Sequence, residues 1–149
     1  MKKLILCALL LSCTGCVTVK IPKYLKNEFP YTKKFYSDFD KVSKATLKAL
    51  SDLGWRISEM SNPAVFEQDL ASDSQRKQVV IFTEIRQTPL ILSSRYMSLN
   101  IYLRAVDDGT DMEIRYISVT PILFKNVENY KNDAVVNKIF THIANELKE

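Results

Sequence analysis

Between residues 32 and 147 the spacing of apolar positions changes period twice, and those changes mark the elements. The run KKFYSDFDKVSKATLKALSDLGW, residues 33–55, reads as a short strand entering a helix. Phe39, Val42, Thr46, Ala49 and Leu53 recur at three- and four-residue steps and form one face. Ser37 or Asp38 can cap the first amides, and Asp38 and Asp40 suit the positive end of the helix dipole. Gly54 fits the left-handed position that closes a helix.

From there the period is two. Trp55 and Ile57 alternate with Arg56 and Ser58 in a first strand, Asn62-Pro63 turns the chain, and Val65 to Gln68 form a short second strand. Polar residues 71–77 form a loop. In the third strand, Gln78 to Arg86, Val79, Ile81, Thr83 and Ile85 face one way, and Val80, Phe82, Glu84 and Arg86 the other. The run RYMSLNIYLRAV alternates most cleanly, with Met97, Leu99, Ile101 and Leu103 on the core side. Asp107-Asp108-Gly109 is a hairpin signal. The returning strand, Asp111 to Val119, sets Met112, Ile114 and Tyr116 inward. A final helix, Asn132 to Leu147, is capped by Asn132 or Asp133 and carries Val136, Ile139, Phe140, Ile143 and Leu147 on one stripe. The expected fold class is α+β: a two-layer sandwich with an antiparallel sheet of about five strands and an N-terminal and a C-terminal helix on one face.

The amino end obeys other rules. Met1-Lys2-Lys3 is a short positive segment, Leu4 to Leu11 is apolar, and small residues follow, the layout of a secretory signal peptide. Eight apolar residues fall far short of the roughly twenty that span a bilayer as a helix. The stretch LLLSCTGC resembles the lipobox of bacterial lipoproteins, in which a cysteine becomes the acylated first residue of the mature chain. That resemblance implies lipidation at Cys16, after the small residues Thr14 and Gly15, with Cys13 as the alternative. It divides the chain into a signal peptide (1–15), a lipidated terminus and tether (16–31) and one α+β domain (32–149). A buried methylene contributes about 0.8 kcal/mol and a single acyl chain holds only marginally, so anchoring of this kind rests on more than one chain. No aspartate follows either cysteine; by resemblance to lipoprotein sorting, the expected location is the envelope, at the outer membrane and facing the periplasm.

Composition narrows the functions further. The formal charge of +4 falls to +2 once Lys2 and Lys3 leave with the signal, too little for the clustered basic face that nucleic acid requires. Beyond the signal only Gly54 and Gly109 remain, which excludes a glycine-rich phosphate loop. With Cys16 acylated, the folded part holds no other cysteine and no disulfide framework.

Candidate chemistry is sparse. His142 is the only histidine and has neither a second histidine nor a mature cysteine to join it, so no catalytic residue, metal or cofactor is expected. Glu84, Glu113, Arg86, Arg104 and Arg115 are expected on the outward sheet face as cross-strand ion pairs. One feature stands out: TPLIL (Thr88 to Leu92) and TPILF (Thr120 to Phe124) are near-copies in expected loops. A meander brings both loops to one end of the sheet. There Leu90, Ile91, Leu92, Ile122, Leu123 and Phe124 can build an exposed apolar patch for a partner or membrane.

The run FYSDFDKVSKATLKALSDLGWRISEM is similar to the strand–helix–strand that opens BamC-type domains of Gram-negative envelope lipoproteins, with Asp38-Phe39 and Leu53-Gly54-Trp55 at the matching positions. The resemblance spans 26 residues and implies a helix-grip-like, non-catalytic domain. The expected function is a membrane-anchored binding or scaffolding module acting on envelope proteins. The alternative is a carrier or sensor of a lipid or other apolar small molecule held between sheet and helix.

Overall fold

The computed structural model describes residues 18–26, 29–67, 76–91, 93–123 and 125–148. The fold is α+β, an antiparallel sheet with two helices. The elements are β1 (Tyr31–Phe35), α1 (Phe39–Asp52), β2 (Ile57–Ser61), β3 (Gln78–Thr83), β4 (Arg86–Pro89), β5 (Ser94–Val106), β6 (Gly109–Ile122), β7 (Lys125–Asn129) and α2 (Asp133–Glu146). Among the described residues the sheet has seven strands, more than the expected five, in the order β1-β6-β5-β3-β2, with β4 also on β5 and β7 also on β6. The registers explain the difference. β1 pairs Thr110 to Ile114 of β6 and β7 pairs Ser118 to Ile122, so two short strands follow one another along the same edge. β3 and β4 share the edge of β5 in the same way.

Both helices follow their apolar spacing. α1 buries Val42, Ala45, Thr46, Ala49 and Leu50; Phe39 and Leu53, expected on its face, are only partly covered. Asp38 is its N-cap, but no side-chain hydrogen bond closes that end. Gly54 stands at φ 73°, as a left-handed helix stop requires. On α2 the Asn132 Oδ1 accepts the Val135 amide at 3.1 Å, a side-chain cap, and Val136, Ile139, Phe140 and Ile143 are buried. One apolar cluster gathers these helix residues with Ile81, Leu99, Ile101, Leu103, Met112, Ile114 and Tyr116 of the sheet.

Two local expectations fail. Residues 63–65 form a 3-10 turn rather than the start of a strand, because Asn62 Oδ1 accepts the Ala64 amide and Pro63 favours a helical first position; Gln68 lies outside the described residues. Between β3 and β4 the register slips by one. Phe82 faces Asn100, which would set Ile85 against Met97, yet Arg86 occupies that place. The extra residue is a bulge and reverses the facing of everything after it. Arg86 therefore leaves the face assigned to it by alternation. Its Nη1 donates to the Leu53 carbonyl at 3.1 Å, and its guanidinium lies over the Trp55 ring.

The opposite face of the sheet also departs from expectation. Alternation assigns Asn100, Tyr102 and Arg115 to solvent, but residues 18–26 lie across them as a strap. Leu25 is 2% exposed and packs with Ile117 and Val119, joined by Val19, Ile21 and Tyr130. Asn100 fixes it twice, accepting the Leu25 amide at 2.7 Å and donating to the Lys23 carbonyl at 3.0 Å. Over these residues the expected tether is packed structure. Tyr24 stacks on Phe66, which meets Phe82 edge-on.

Candidate functional site

The expected patch sits on two hairpin tips. Thr88 and Pro89 end β4, Leu90 donates its amide to the Ser93 carbonyl, and Ser94 begins β5. The second tip joins Ile122 of β6 to Lys125 of β7, with Leu123 at φ 51° in the turn. Tyr96 pairs with Val119, and two further steps set Ser94 beside Pro121, so the tips leave adjacent strands at the same end. Ile91 is 99% and Leu123 83% exposed; Leu90 and Ile122 are also exposed. Leu92 and Phe124, like Cys13 and Cys16, lie outside the described residues. Longer strands account for Thr88, Pro89 and Thr120 to Ile122, so the repeats are partly strand and partly turn.

The second cluster centres on Arg115, which sequence alternation sends to solvent and the strap covers. It is 3% exposed. Its Nη1 donates within reach of Glu67 Oε1 at 2.6 Å, the Leu25 carbonyl at 2.8 Å, and the Tyr24 and Tyr102 hydroxyls at 3.1 Å. Its Nε donates to Glu113, and its guanidinium stacks on the Tyr102 ring at 4.1 Å. Arg115 thus ties the strap and Glu67 to β6, instead of forming the expected cross-strand surface pair. The sequence signal for burial is the run Ile117 and Val119, which extends apolar character onto the face that Arg115 shares.

Burial opposes the charge on Arg115, but hydrogen bonds to Glu67 and Glu113 and the Glu113 charge outweigh it and keep the guanidinium protonated. Burial pushes the Glu67 carboxyl up, yet the bonds from Arg115 and Tyr24, with the arginine charge, hold it below the usual carboxylate range. Burial pushes the Tyr102 phenol far up. Each charge is answered within the cluster, which suits a structural clamp.

Beside the clamp runs a cleft of about 490 Å³ lined by Thr32, Lys34, Gln78, Tyr102, Arg104 and Asp111 among others. Two of its cations are paired: Arg104 lies 3.4 Å from Asp111, and Lys34 bridges to Asp108 of the adjoining turn. A smaller cleft of about 250 Å³ lies among Leu53, Trp55, Arg86, Met97 and Val135, and another of about 560 Å³ among Lys41, Lys44, Ala45 and Lys48 of α1 and Glu146 and Leu147 at the end of α2. Glu84 is exposed, and His142 is half-buried on α2 beside Ile143. Among the described residues no group of three or more His, Cys, Asp or Glu side chains could hold a metal ion. No described helix is long and apolar enough to cross a membrane. Compared with known proteins, the chain matches no family model and no curated protein.

Proposed function

We propose that this chain is a lipid-anchored, non-catalytic binding or scaffolding module of the cell envelope, acylated at Cys16 and held at the outer membrane facing the periplasm. The observation that carries the reading is the pair of neighbouring hairpin tips, where Ile91 and Leu123 stand out in solvent and Leu90 and Ile122 are partly exposed beside them. Apolar residues grouped in this way mark contact surfaces. The outer edge of β2, a strand 57–61 that pairs only with β3 among the described strands, is a second surface, open to an added strand from a protein partner. We read both helices as gripping one face of the sheet, in keeping with the BamC-type resemblance.

The carrier alternative has less support. Val42, Ala49, Leu50, Ile101, Ile114, Ile139 and Ile143 fill the space between helices and sheet at zero exposure. The cleft of about 250 Å³ that touches both helix-flanking and sheet residues falls below the roughly 300–1,000 Å³ of small-molecule sites, and the larger one of about 560 Å³ is lined by Lys41, Lys44, Ala45, Lys48, Glu146 and Leu147, none of them on the sheet. The test is mass spectrometry of the processed amino-terminal peptide, joined to identification of proteins co-purifying from detergent-solubilised membranes. The expected result is a diacylglycerol-bearing Cys16 and an envelope protein recovered with the chain. A terminus without acyl mass refutes the anchor, and an acylated chain that recovers no protein refutes scaffolding.

A further inference from the structure

Resting on the anchored reading above, we infer that the two hairpin tips dock into the same bilayer that holds the acyl group, so the domain stands on the membrane with its β4–β5 and β6–β7 turns downward. The protein partner is then left to the rest of the surface, the β2 edge foremost.

The described strap starts beside the tips. Thr18 is the first described residue, and its carbonyl accepts a hydrogen bond from Asn126 Nδ2 at 3.2 Å. Asn126 lies on β7 opposite Pro121, one residue from the Ile122–Lys125 turn. From Thr18 the strap runs away from the tips, Val19 and Ile21 packing toward Ile117 and Val119 and Leu25 reaching Asn100 further along the sheet. Thr18 therefore lies at the tip end of the domain. Cys16 is two residues before Thr18, a span of at most about 7 Å of extended chain. An acyl group there cannot reach a bilayer lying against the other end of the sheet, where the Asp107–Asp108 turn joins β5 to β6. It brings the membrane to the tips.

What the tips present matches that neighbour. Among the described tip residues Ile91 and Leu123 are the most exposed apolar side chains, at 99% and 83%, and Leu90 and Ile122 are partly exposed. Exposed cations flank them: Lys20 on the strap, Arg95 opposite Thr88 and Lys125 in the second turn. Apolar points rimmed by cations suit a layer whose surface is anionic and whose interior is hydrocarbon. A protein groove would satisfy the apolar residues, but nothing would then require the anchor to emerge beside them.

The test uses the acylated chain in vesicles of phosphatidylethanolamine and phosphatidylglycerol. With the signal removed and Cys16 acylated, the chain has no free thiol, so one introduced cysteine takes a spin label alone. Ile91→Cys and Leu123→Cys report on the tips, and Tyr36→Cys, at an 82% exposed site, reports on the opposite end. Power-saturation measurements are expected to place both tip labels about 5–10 Å below the headgroups, the depth of interfacial apolar elements, with the Tyr36→Cys label in water. Tip labels as water-accessible as the Tyr36→Cys label, on a chain whose mass shows the acyl group, overturn the docking and leave the anchored reading standing. A chain without acyl mass overturns both. Tip labels shielded by a co-purifying protein, with no lipid exposure, assign the tips to that protein and overturn the inference.

Discussion

Replacing Arg115 with methionine tests the clamp most directly. The side chain keeps much of its volume and loses its charge, so the strap face is not emptied, but the Glu67 and Glu113 carboxylates are left without their cation. Removing one partner of a buried ion pair costs about 3–5 kcal/mol. Arg115 has 4% of its side chain exposed, whereas Glu67 keeps 23% and Glu113 24%. Water can therefore answer part of the stranded charge, and the lower value, about 3 kcal/mol, is expected. With a urea slope of about 2 kcal/mol/M, the unfolding midpoint falls by about 1.5 M. Urea titration followed by circular dichroism and by the fluorescence of Trp55, 5% exposed in the core, reads it. Adding Glu67→Gln and Glu113→Gln removes the orphaned charges and is expected to recover at least half of the loss. A single-variant shift below about 0.3 M would show that solvent already screens the cluster. A triple variant no more stable than the single would show that stranded charge is not the cause.

Other outcomes follow from the same geometry. Leu25→Ala should cost about 2–4 kcal/mol and speed amide hydrogen exchange in the strap and in Ile117 to Val119; exchange raised nowhere but at residue 25 would refute strap cooperativity. Glu67 is held below its ordinary value of 4.5 in the fold, so its contribution is present above that pH and lost as pH falls below it; Glu67→Gln should flatten the acid limb of stability. Tyr102 is held above its ordinary 10.0, so its contribution is present below pH 10 and lost as pH rises further, and Tyr102→Phe should flatten the alkaline limb. Gly109 stands at φ 150°, and a Cβ there would meet the Phe35 carbonyl oxygen at 2.1 Å; Gly109→Ala should cost more than about 1 kcal/mol, read as a lowered melting temperature.

The periodic elements were legible because each has one apolar face and its own caps. α1 and α2 fall within two residues of their expected ends, and the β5–β6 hairpin turns at Asp107-Asp108-Gly109. What alternation could not reveal depends on distant chain. Asn100 and Arg115 look like solvent-facing residues until residues 18–26 are laid on them, a contact spanning 75 and 90 residues of sequence. The bulge before Arg86 was hidden for a local reason: Glu84 and Ile85 continue the polar–apolar alternation, so a one-residue slip leaves no trace in the pattern. The tip residues were legible as apolar residues out of place, but their exposure is a property of how far β6 and β7 extend before turning.

Anyone shortening the amino end to obtain a well-behaved soluble fragment would meet a hidden dependency. A version starting at Phe29 keeps every strand and both helices, yet it bares Ile117 and Val119 and deprives Arg115 of the Leu25 carbonyl and the Tyr24 hydroxyl. Such a trimmed product would be stickier than its parent. A protease cutting just after Leu25 would release a damaged domain, which makes residues 18–26 a guard on the integrity of the sheet they cover.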